Sequence, residues 1–435
     1  MIESSGALAA PSETKHTNDR ETSLSKLALN GGTPVRTEPF PSWPIHGPEE
    51  ENAVLEVVRS GKWWFGEKVA EFEKEFAAFQ DAKHGITCCN GTIALELAMK
   101  ALGIQAGDEV LVPAYTFIAT ATSVLQLRAV PIFIDIDPMT ANMDLTAAEA
   151  AITPRTRAII VVHFGGLPID LDAAKALAKK HDLLLIEDAA HSWGSQWRGK
   201  GTGAHGDLGT FSFQMSKNLT SAEGGIIVTD NEEYGRLARS FVNVGRREDK
   251  PWYFHYIVSG NYRITEFQAA LLLVGLSRLD EQNKRRTENA LFLDAELGKV
   301  SGLTVRPTDP RVTRRAYHLY GFRYDGTAFG GLHRDKLLEA LKAEGIPAFA
   351  SYPHPVYRNP AIQELQNPKP ADVRYWQPEL PGHPGFTKVH CPNTERLCSD
   401  EALWFPHTML LGNRADMQDV VDAMHKVREN LDELK

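Results

Sequence analysis

Cysteine is scarce in this chain, with four residues among 435. Cys88 and Cys89 are adjacent, which disfavours a bond between them. Cys391 and Cys398 lack the C-x-x-C spacing of a zinc site, and His390 beside them does not complete one. The sequence therefore argues against a disulfide scaffold and a metal site. We expect reduced thiols in a cytoplasmic protein.

Positive charge and long apolar runs are also in short supply. Lys and Arg number 47 against 56 Asp and Glu, a net charge of -9, and no block of basic residues stands out. Such a chain repels nucleic-acid phosphates and anionic membranes. No apolar run reaches the roughly 18 residues of a membrane span. We therefore expect no nucleic-acid partner and no membrane partner, and a small molecule becomes the favoured ligand.

The residues that are present predict a chain of several parts. Residues 1–25 are rich in Ser, Thr and charge and predict a flexible N-terminal tail, and 26–48, rich in Gly and Pro, predict an arm. Helical periodicity and short buried apolar runs alternate over 49–280, which predicts a large α/β domain with a mostly parallel sheet flanked by helices. Residues 281–435 predict a linking helix and a smaller α+β domain. The predicted strands of the large domain are 109–113, 131–136, 158–164, 183–188, 209–213 and 224–230.

Polar residues follow several of these strands. In an open α/β sheet, active sites lie just beyond the carboxyl ends of the strands. Gly91 and Thr92 begin a predicted helix. Its N-terminus could bind a phosphate, or these residues could belong to an ordinary N-terminal cap. Asp188 ends a buried strand, where a carboxylate needs a cation such as a pyridinium, or else caps the next helix. His191 follows three residues later and could face the same crevice or serve the scaffold.

Further along the chain, Lys217 comes just after a strand. Its amine could have a lowered pKa there, as Schiff-base chemistry requires, or the side chain could be an ordinary solvated lysine. Phe117 leaves a strand end and could stack on a flat cofactor or fill the core. Asn261 precedes a helix as an anion contact or as a cap. The order of phosphate cradle, aromatic, Asp and Lys is the layout of a pyridoxal phosphate site on an α/β sheet.

From about residue 27 to the C-terminus the chain resembles the DegT/DnrJ/EryC1/StrS sugar aminotransferases, which are fold type I and depend on pyridoxal phosphate. The motifs that carry the resemblance are NGTIAL (90–95), GDEVLVPAYTF (107–117), EDAAH (187–191), TFSFQMSKNLTSAEGG (210–225) and NYR (261–263). The resemblance implies that Lys217 forms the covalent aldimine and carries the proton, while Asp188 pairs with the pyridine nitrogen. It also implies roles for the remaining cofactor residues: Phe117 stacks on the ring, Gly91, Thr92 and Ser212 hold the phosphate, and His191, at a position that is often Gln, contacts the 3-oxygen.

The same resemblance implies a homodimer with shared active sites, because Asn261 would reach the phosphate of the partner subunit. It further implies ping-pong transfer from L-glutamine or L-glutamate to a small-molecule keto substrate. Segments 27–44 and 352–360 look like the branch that aminates cyclitols such as scyllo-inosose. The candidate substrate residues, each of which could instead be scaffold, are His318, His354, Tyr357 and Arg358.

Other functions remain open from the sequence. A nucleotide-diphospho-ketosugar aminotransferase is the alternative within the family, and a non-catalytic regulator that keeps the cofactor is the alternative outside catalysis. A different nucleotide-binding α/β protein is disfavoured, since no G-x-G-x-x-G follows the first strand and no Walker A lysine motif is present.

Overall fold

A computed structural model describes residues 26–366 and 385–435 of the protein. The predicted tail 1–25 lies outside the described residues. The strands, in chain order, are β1 (His84–Cys88), β2 (Glu109–Pro113), β3 (Val130–Ile134), β4 (Thr156–Val162), β5 (Leu184–Asp188), β6 (Gln196–Trp197), β7 (Lys200–Gly201), β8 (Leu208–Ser212), β9 (Gly225–Thr229), β10 (Leu303–Val305), β11 (Val312–Arg314), β12 (Leu319–Tyr324), β13 (Phe349–Ala350) and β14 (Ala402–Pro406).

The α-helices, in the same order, are α1 (Pro48–Ser60), α2 (Glu67–Phe79), α3 (Gly91–Ala101), α4 (Ala119–Gln126), α5 (Leu145–Ala150), α6 (Leu171–Lys180), α7 (Glu232–Val242), α8 (Glu266–Leu297), α9 (Arg334–Ala343), α10 (Pro360–Gln363), α11 (Pro392–Arg396) and α12 (Arg414–Glu429). Short 3-10 turns join several of them. One of these, Phe164–Gly166, follows β4 and lies beside the site described below.

A seven-stranded sheet in the order β1-β9-β8-β5-β4-β2-β3 organises the N-terminal part of the chain. Strands β3, β2, β4, β5 and β8 run parallel, and β9 is antiparallel to both of its neighbours, β8 and β1. Apolar runs such as Ile159–Val161 are wholly buried, because helices cover both faces of the sheet. The predicted α/β class with a mostly parallel sheet is confirmed.

Several elements were absent from the sequence-based prediction. Strand β1 is short and contains Gly85 and Thr87, so it lacks the continuous apolar run that identified the other strands. Helix α7 and strand β14 also went unpredicted, although α7 begins at a clear cap, Asn231, whose side chain accepts from the backbone N–H groups of Glu233 and Tyr234.

The C-terminal part has a four-stranded antiparallel sheet in the order β10-β12-β14-β13. Its core includes Phe322, Phe405 and Val420, and Leu27 of the arm is buried in the same cluster. The arm is fixed further by Arg36, which binds the carboxylates of Asp416 and Asp419 at 2.7 and 2.9 Å. This architecture agrees with an α+β region that the arm crosses.

Helix α8 connects the two parts as one continuous element of 32 residues. The sequence predicts a domain boundary at 280, with a linking helix after it. The first half packs Leu272 and Leu279 with the N-terminal core, and the second half packs Leu293 and Leu297 with the C-terminal core. The helix therefore runs straight through the proposed boundary at 280, and the division into two domains stays a prediction.

Candidate active site

A cavity of about 640 Å³ opens at the carboxyl ends of β2, β5 and β8. Two groups of residues form it. The sheet wall consists of Gly91, Thr92, Asp188, Ser212 and Lys217, and the C-terminal wall consists of His318, Leu319, Tyr352 and Trp404. Phe117 and His191 also line the cavity. Parallel strands end at one edge of a sheet, which is why residues far apart in the sequence meet here.

Asp188 is the last residue of β5 and is buried. Its Oδ2 atom accepts a hydrogen bond from the Thr120 hydroxyl at 2.8 Å, and its Oδ1 atom accepts one from the backbone N–H of Ala190 at 3.3 Å. Burial raises the pKa of this carboxyl, while the Thr120 hydrogen bond and the charge of Lys217 act in the opposite direction. A buried carboxylate with room beside it suits a cationic ring nitrogen.

Lys217 lies in a turn after β8, where its backbone N–H donates to the carbonyl of Gln214 at 2.9 Å. Its Nζ atom is 5.9 Å from the ring centroid of Trp193. Burial lowers the pKa of Lys217 to about 8, against the opposing charge of Asp188. A lysine with such a pKa keeps a useful fraction of neutral amine near neutral pH, as a nucleophile or proton acceptor requires.

The start of α3 forms a cradle beside Ser212. The Asn90 side chain caps the helix by accepting from the backbone N–H of Ile93 at 2.9 Å, so the capping interpretation of this motif is correct. The capped end also faces the cavity. A Cβ atom at Gly91 would come within 2.7 Å of the Cβ atom of Ser212, so only glycine leaves this space open. Free N–H groups at a helix N-terminus and a neighbouring hydroxyl fit a phosphate.

Phe117 and His191 complete this side of the cavity. Phe117 is 58% exposed, which excludes the alternative that it fills the core. His191 is buried, and its Nδ1 atom accepts from the backbone N–H of Gly165 at 3.3 Å. Burial lowers the pKa of His191 well below its ordinary value, with the charge of Lys217 acting in the same direction. The imidazole is therefore neutral. The flat aromatic face, the carboxylate, the amine and the cradle together fit pyridoxal phosphate.

Three of the four candidate substrate residues lie outside this cavity. His354 Nε2 is 3.1 Å from Asn359 Oδ1. Tyr357 is buried, and its hydroxyl donates to Glu395 at 2.6 Å, while Arg358 pairs with the same carboxylate at 2.8 Å. Within this chain the three side chains therefore contact Asn359 and Glu395 rather than the cavity, and their role toward the substrate stays a prediction. His318 does line it.

Asn261 is exposed and lies away from this chain's cavity. Its backbone pairs with that of Asn243 in a single antiparallel β-bridge. Its position neither tests nor contradicts a role at a partner's site.

The cavity residues that the sequence analysis did not predict include Thr120, Tyr352 and Trp404. Thr120 sits in the first turn of α4, and its signal was the hydroxyl-rich segment after β2. Tyr352 and Trp404 come from distant segments of the C-terminal part, and no local pattern marked them. Among residues 26–366 and 385–435, no group of three or more His, Cys, Asp or Glu side chains is arranged to hold a metal ion. The same ranges contain no helix that is long and apolar enough to cross a membrane.

Known proteins resemble this chain over nearly its whole length. A protein of Streptoalloteichus tenebrarius, provisionally named an L-glutamine:3-amino-2,3-dideoxy-scyllo-inosose aminotransferase, is 41% identical over 94% of this chain and 100% of its own length. The L-glutamine:2-deoxy-scyllo-inosose aminotransferase of the same organism is 37% identical over 94% of this chain and 99% of its own. The crystal structure of 3-amino-5-hydroxybenzoic acid synthase has a TM-score of 0.79 at 35% identity and covers 90% of this chain and 99% of that one.

The model of the DegT/DnrJ/EryC1/StrS aminotransferase family matches residues 44–377. Its members are aminotransferases. The chain belongs to the DegT/DnrJ/EryC1/StrS aminotransferase family and is an aminotransferase, and pyridoxal phosphate is the cofactor that this membership implies.

Proposed function

We propose that the enzyme transfers an amino group from L-glutamine, or from L-glutamate, to the keto group of a cyclitol of the scyllo-inosose type. The observation that carries the proposal is the cavity in which Lys217 and Asp188 face one another beside a helix-end cradle. The choice of a cyclitol over a nucleotide-linked sugar is supported by relatives at 37% to 41% identity that are named as scyllo-inosose aminotransferases.

Pyridoxal phosphate would be held covalently by Nζ of Lys217. Asp188 would keep the ring nitrogen protonated, Phe117 would cover the ring, and His191 would donate to the 3-oxygen. The phosphate would lie among Gly91, Thr92 and Ser212. When bound, the cofactor supplies a carbonyl that exchanges the amino group and a ring that accepts an electron pair.

Lys217 would move the proton in both halves of the reaction. Its pKa of about 8 lets the amine accept a proton from the Cα atom of the donor and return it later, near neutral pH. Asp188 stays ionised because the cationic ring nitrogen outweighs the cost of its burial.

The active form would be a homodimer with shared sites. The segment before Asn261 exposes several large apolar side chains, and such clusters mark association surfaces. They are Trp252, Tyr253, Phe254, Tyr256 and Val258. Mixing Lys217→Ala chains with Asn261→Ala chains tests this arrangement: partial recovery of activity in mixed dimers is expected, and no recovery would argue for independent sites.

A cytoplasmic location is supported by the four free cysteines.

The function is tested by following each half of the reaction in the absorbance of the cofactor. L-Glutamine and L-glutamate are added singly to the loaded enzyme, and scyllo-inosose or nucleotide-linked 3- and 4-ketosugars are then added to the product. Return of the starting spectrum with scyllo-inosose supports the proposal. Return only with a nucleotide-linked sugar would transfer the enzyme to that class, and no return with any acceptor would favour a regulator.

A further inference from the structure

Two histidines stand side by side in the cavity, one from each part of the chain. His191 follows β5, and His318 immediately precedes β12. Their ring centroids are 4.4 Å apart, with 37° between the ring planes. Burial lowers the pKa of both well below the ordinary value, and the charge of Lys217 acts in the same direction. Both rings are therefore neutral, so each has one N–H group and one free lone pair.

The neighbours of His318 decide which of its nitrogens carries the proton. Its Nδ1 atom is 3.0 Å from Oδ1 of Asn218. The orientation of that amide follows from its other end, because Nδ2 donates to the carbonyl of Ala316 at 3.0 Å and a carbonyl only accepts. Oδ1 must then accept from His318. The proton is on Nδ1, and the lone pair is on Nε2.

His191 has the opposite arrangement. Its Nδ1 atom accepts from the backbone N–H of Gly165 at 3.3 Å, so its proton is on Nε2. The N–H group of His191 would serve the 3-oxygen of the cofactor, so the group left for another ligand is the acceptor of His318. A hydroxyl group can donate to this acceptor, whereas a carboxylate only accepts.

The acceptor of His318 is available to a ligand. His318 lines the cavity while Asn218, the partner of its other nitrogen, does not. Across the described ranges 26–366 and 385–435, Nε2 of His318 has no hydrogen-bond partner. Because His318 lines the cavity, a ligand hydroxyl can donate to Nε2 there in place of water.

We propose that His318 determines specificity for the keto acceptor, its Nε2 atom accepting a hydrogen bond from a hydroxyl of a polyhydroxylated ketone. The inference rests on the proposed function, since it names the substrate group that this site recognises. It assigns no proton transfer to His318. The positive surroundings disfavour an ammonium as the donor to His318, because Lys217 and Arg286 both act on this ring, Arg286 by binding His407, whose ring stacks on His318 at 5.7 Å.

Two substitutions at position 318 distinguish the role of Nε2 from that of Nδ1. Asn in its place retains a polar atom near Nδ1, facing Asn218, but has none at the position of Nε2. Gln places an amide oxygen near Nε2 and so keeps the acceptor. His425→Asn, at an exposed position of α12 outside the cavity, is the matched control.

The assay is calorimetric binding of scyllo-inositol, which lacks the ketone, to the loaded full-length enzyme. His318→Asn should weaken binding about 5- to 10-fold, as loss of one neutral hydrogen bond predicts, and should raise KM for scyllo-inosose by a similar factor. His318→Gln should recover most of the loss, and the control should match the wild type. The half reaction with L-glutamine should stay within about twofold in every variant, since no acceptor hydroxyl is involved.

A second readout is made on the wild-type protein and so does not depend on a variant folding. Nitrogen NMR of enzyme labelled with [15N]histidine should show His318 protonated on Nδ1 and unprotonated on Nε2, the signal being assigned by its loss in His318→Gln. A protonated Nε2 would overturn the inference, as would His318→Asn binding scyllo-inositol as tightly as the wild type. If the wild type converts scyllo-inosose while His318→Asn is unimpaired, this inference alone fails. If the wild type neither binds nor converts the cyclitol, the proposed function fails with it.

Discussion

The two walls of the cavity differ in chemistry and in origin. The sheet wall carries the charged groups, Asp188 and Lys217, together with a helix end, all placed by neighbouring strand ends. The C-terminal wall carries an imidazole and aromatic rings, with Tyr352 and Trp404 packed edge to face at 5.1 Å between centroids. The difference indicates that bond-making chemistry belongs to one wall and recognition of the acceptor to the other.

The strongest test of this separation is Lys217→Ala. Removing the amine takes away both the covalent attachment of the cofactor and the proton carrier, so turnover should fall by on the order of 10⁴-fold or more in both half reactions. Loss of the characteristic cofactor absorbance would accompany it. Full activity in this variant would contradict the assignment of the sheet wall, and Lys200→Ala, a surface lysine bound to Asp230, serves as the control.

A smaller but still large effect is expected from Gly91→Ala. The new methyl group would meet Ser212 Cβ at 2.7 Å, so the cradle must open and lose its fit to phosphate. Affinity for pyridoxal phosphate should fall about 10- to 100-fold, as loss of one or two charge-assisted hydrogen bonds predicts. Titration of the apoenzyme with pyridoxal phosphate measures it. Gly47→Ala is the matched control, because nothing lies within 4 Å of its Cβ position. Equal loss in both would mean that the cradle has no special role.

Trp404→Phe probes the C-terminal wall. Phenylalanine keeps an aromatic contact with Tyr352 but leaves a gap where the indole was, so KM for the keto acceptor should rise roughly threefold to tenfold. The affinity for pyridoxal phosphate and the half reaction with L-glutamine should be unchanged. Steady-state kinetics with each substrate varied in turn decide the matter. A fall in cofactor affinity would show that the two walls are not separable.

The smallest effect is a pH shift in Thr120→Val. The Thr120 hydroxyl donates to the ionised form of Asp188 at 2.8 Å and lowers the pKa of that carboxyl. Its removal should raise that pKa further, because the ionised form loses a hydrogen bond. Because the ionised form binds the cofactor, the acidic limb of pyridoxal phosphate affinity should move to higher pH, with no change on the alkaline side. Thr122→Val is the control, since its hydroxyl donates to a backbone carbonyl within α4. An unshifted acidic limb would exclude the coupling.

Much of the sheet wall could be predicted, because its residues obey local rules. Continuous apolar runs marked β2, β4, β5 and β8, and Asp188 and Lys217 came at or just after two of them. Parallel strands then bring such residues to one edge without further information. By contrast, β1 and β14 were not predicted. The continuity of α8 was not predicted either, because the polar residues Asn283 and Arg286 occupy buried positions at its middle and interrupt the apolar pattern.

The sequence alone determined the fold class, the order of the cofactor groups and the family, since each depends on periodicity or on short motifs. Tertiary structure decided which C-terminal residues meet the cavity. In the sequence, Tyr357 and Arg358 are as good candidates for substrate contact as His318, yet their side chains bind Glu395. Trp404 lines the cavity, although no sequence pattern predicted it. It also decided the proton position on His318, through Asn218 and Ala316. The physical reason is that side-chain direction and hydrogen-bond partners across about 100 residues arise from packing between elements, which local spacing does not encode.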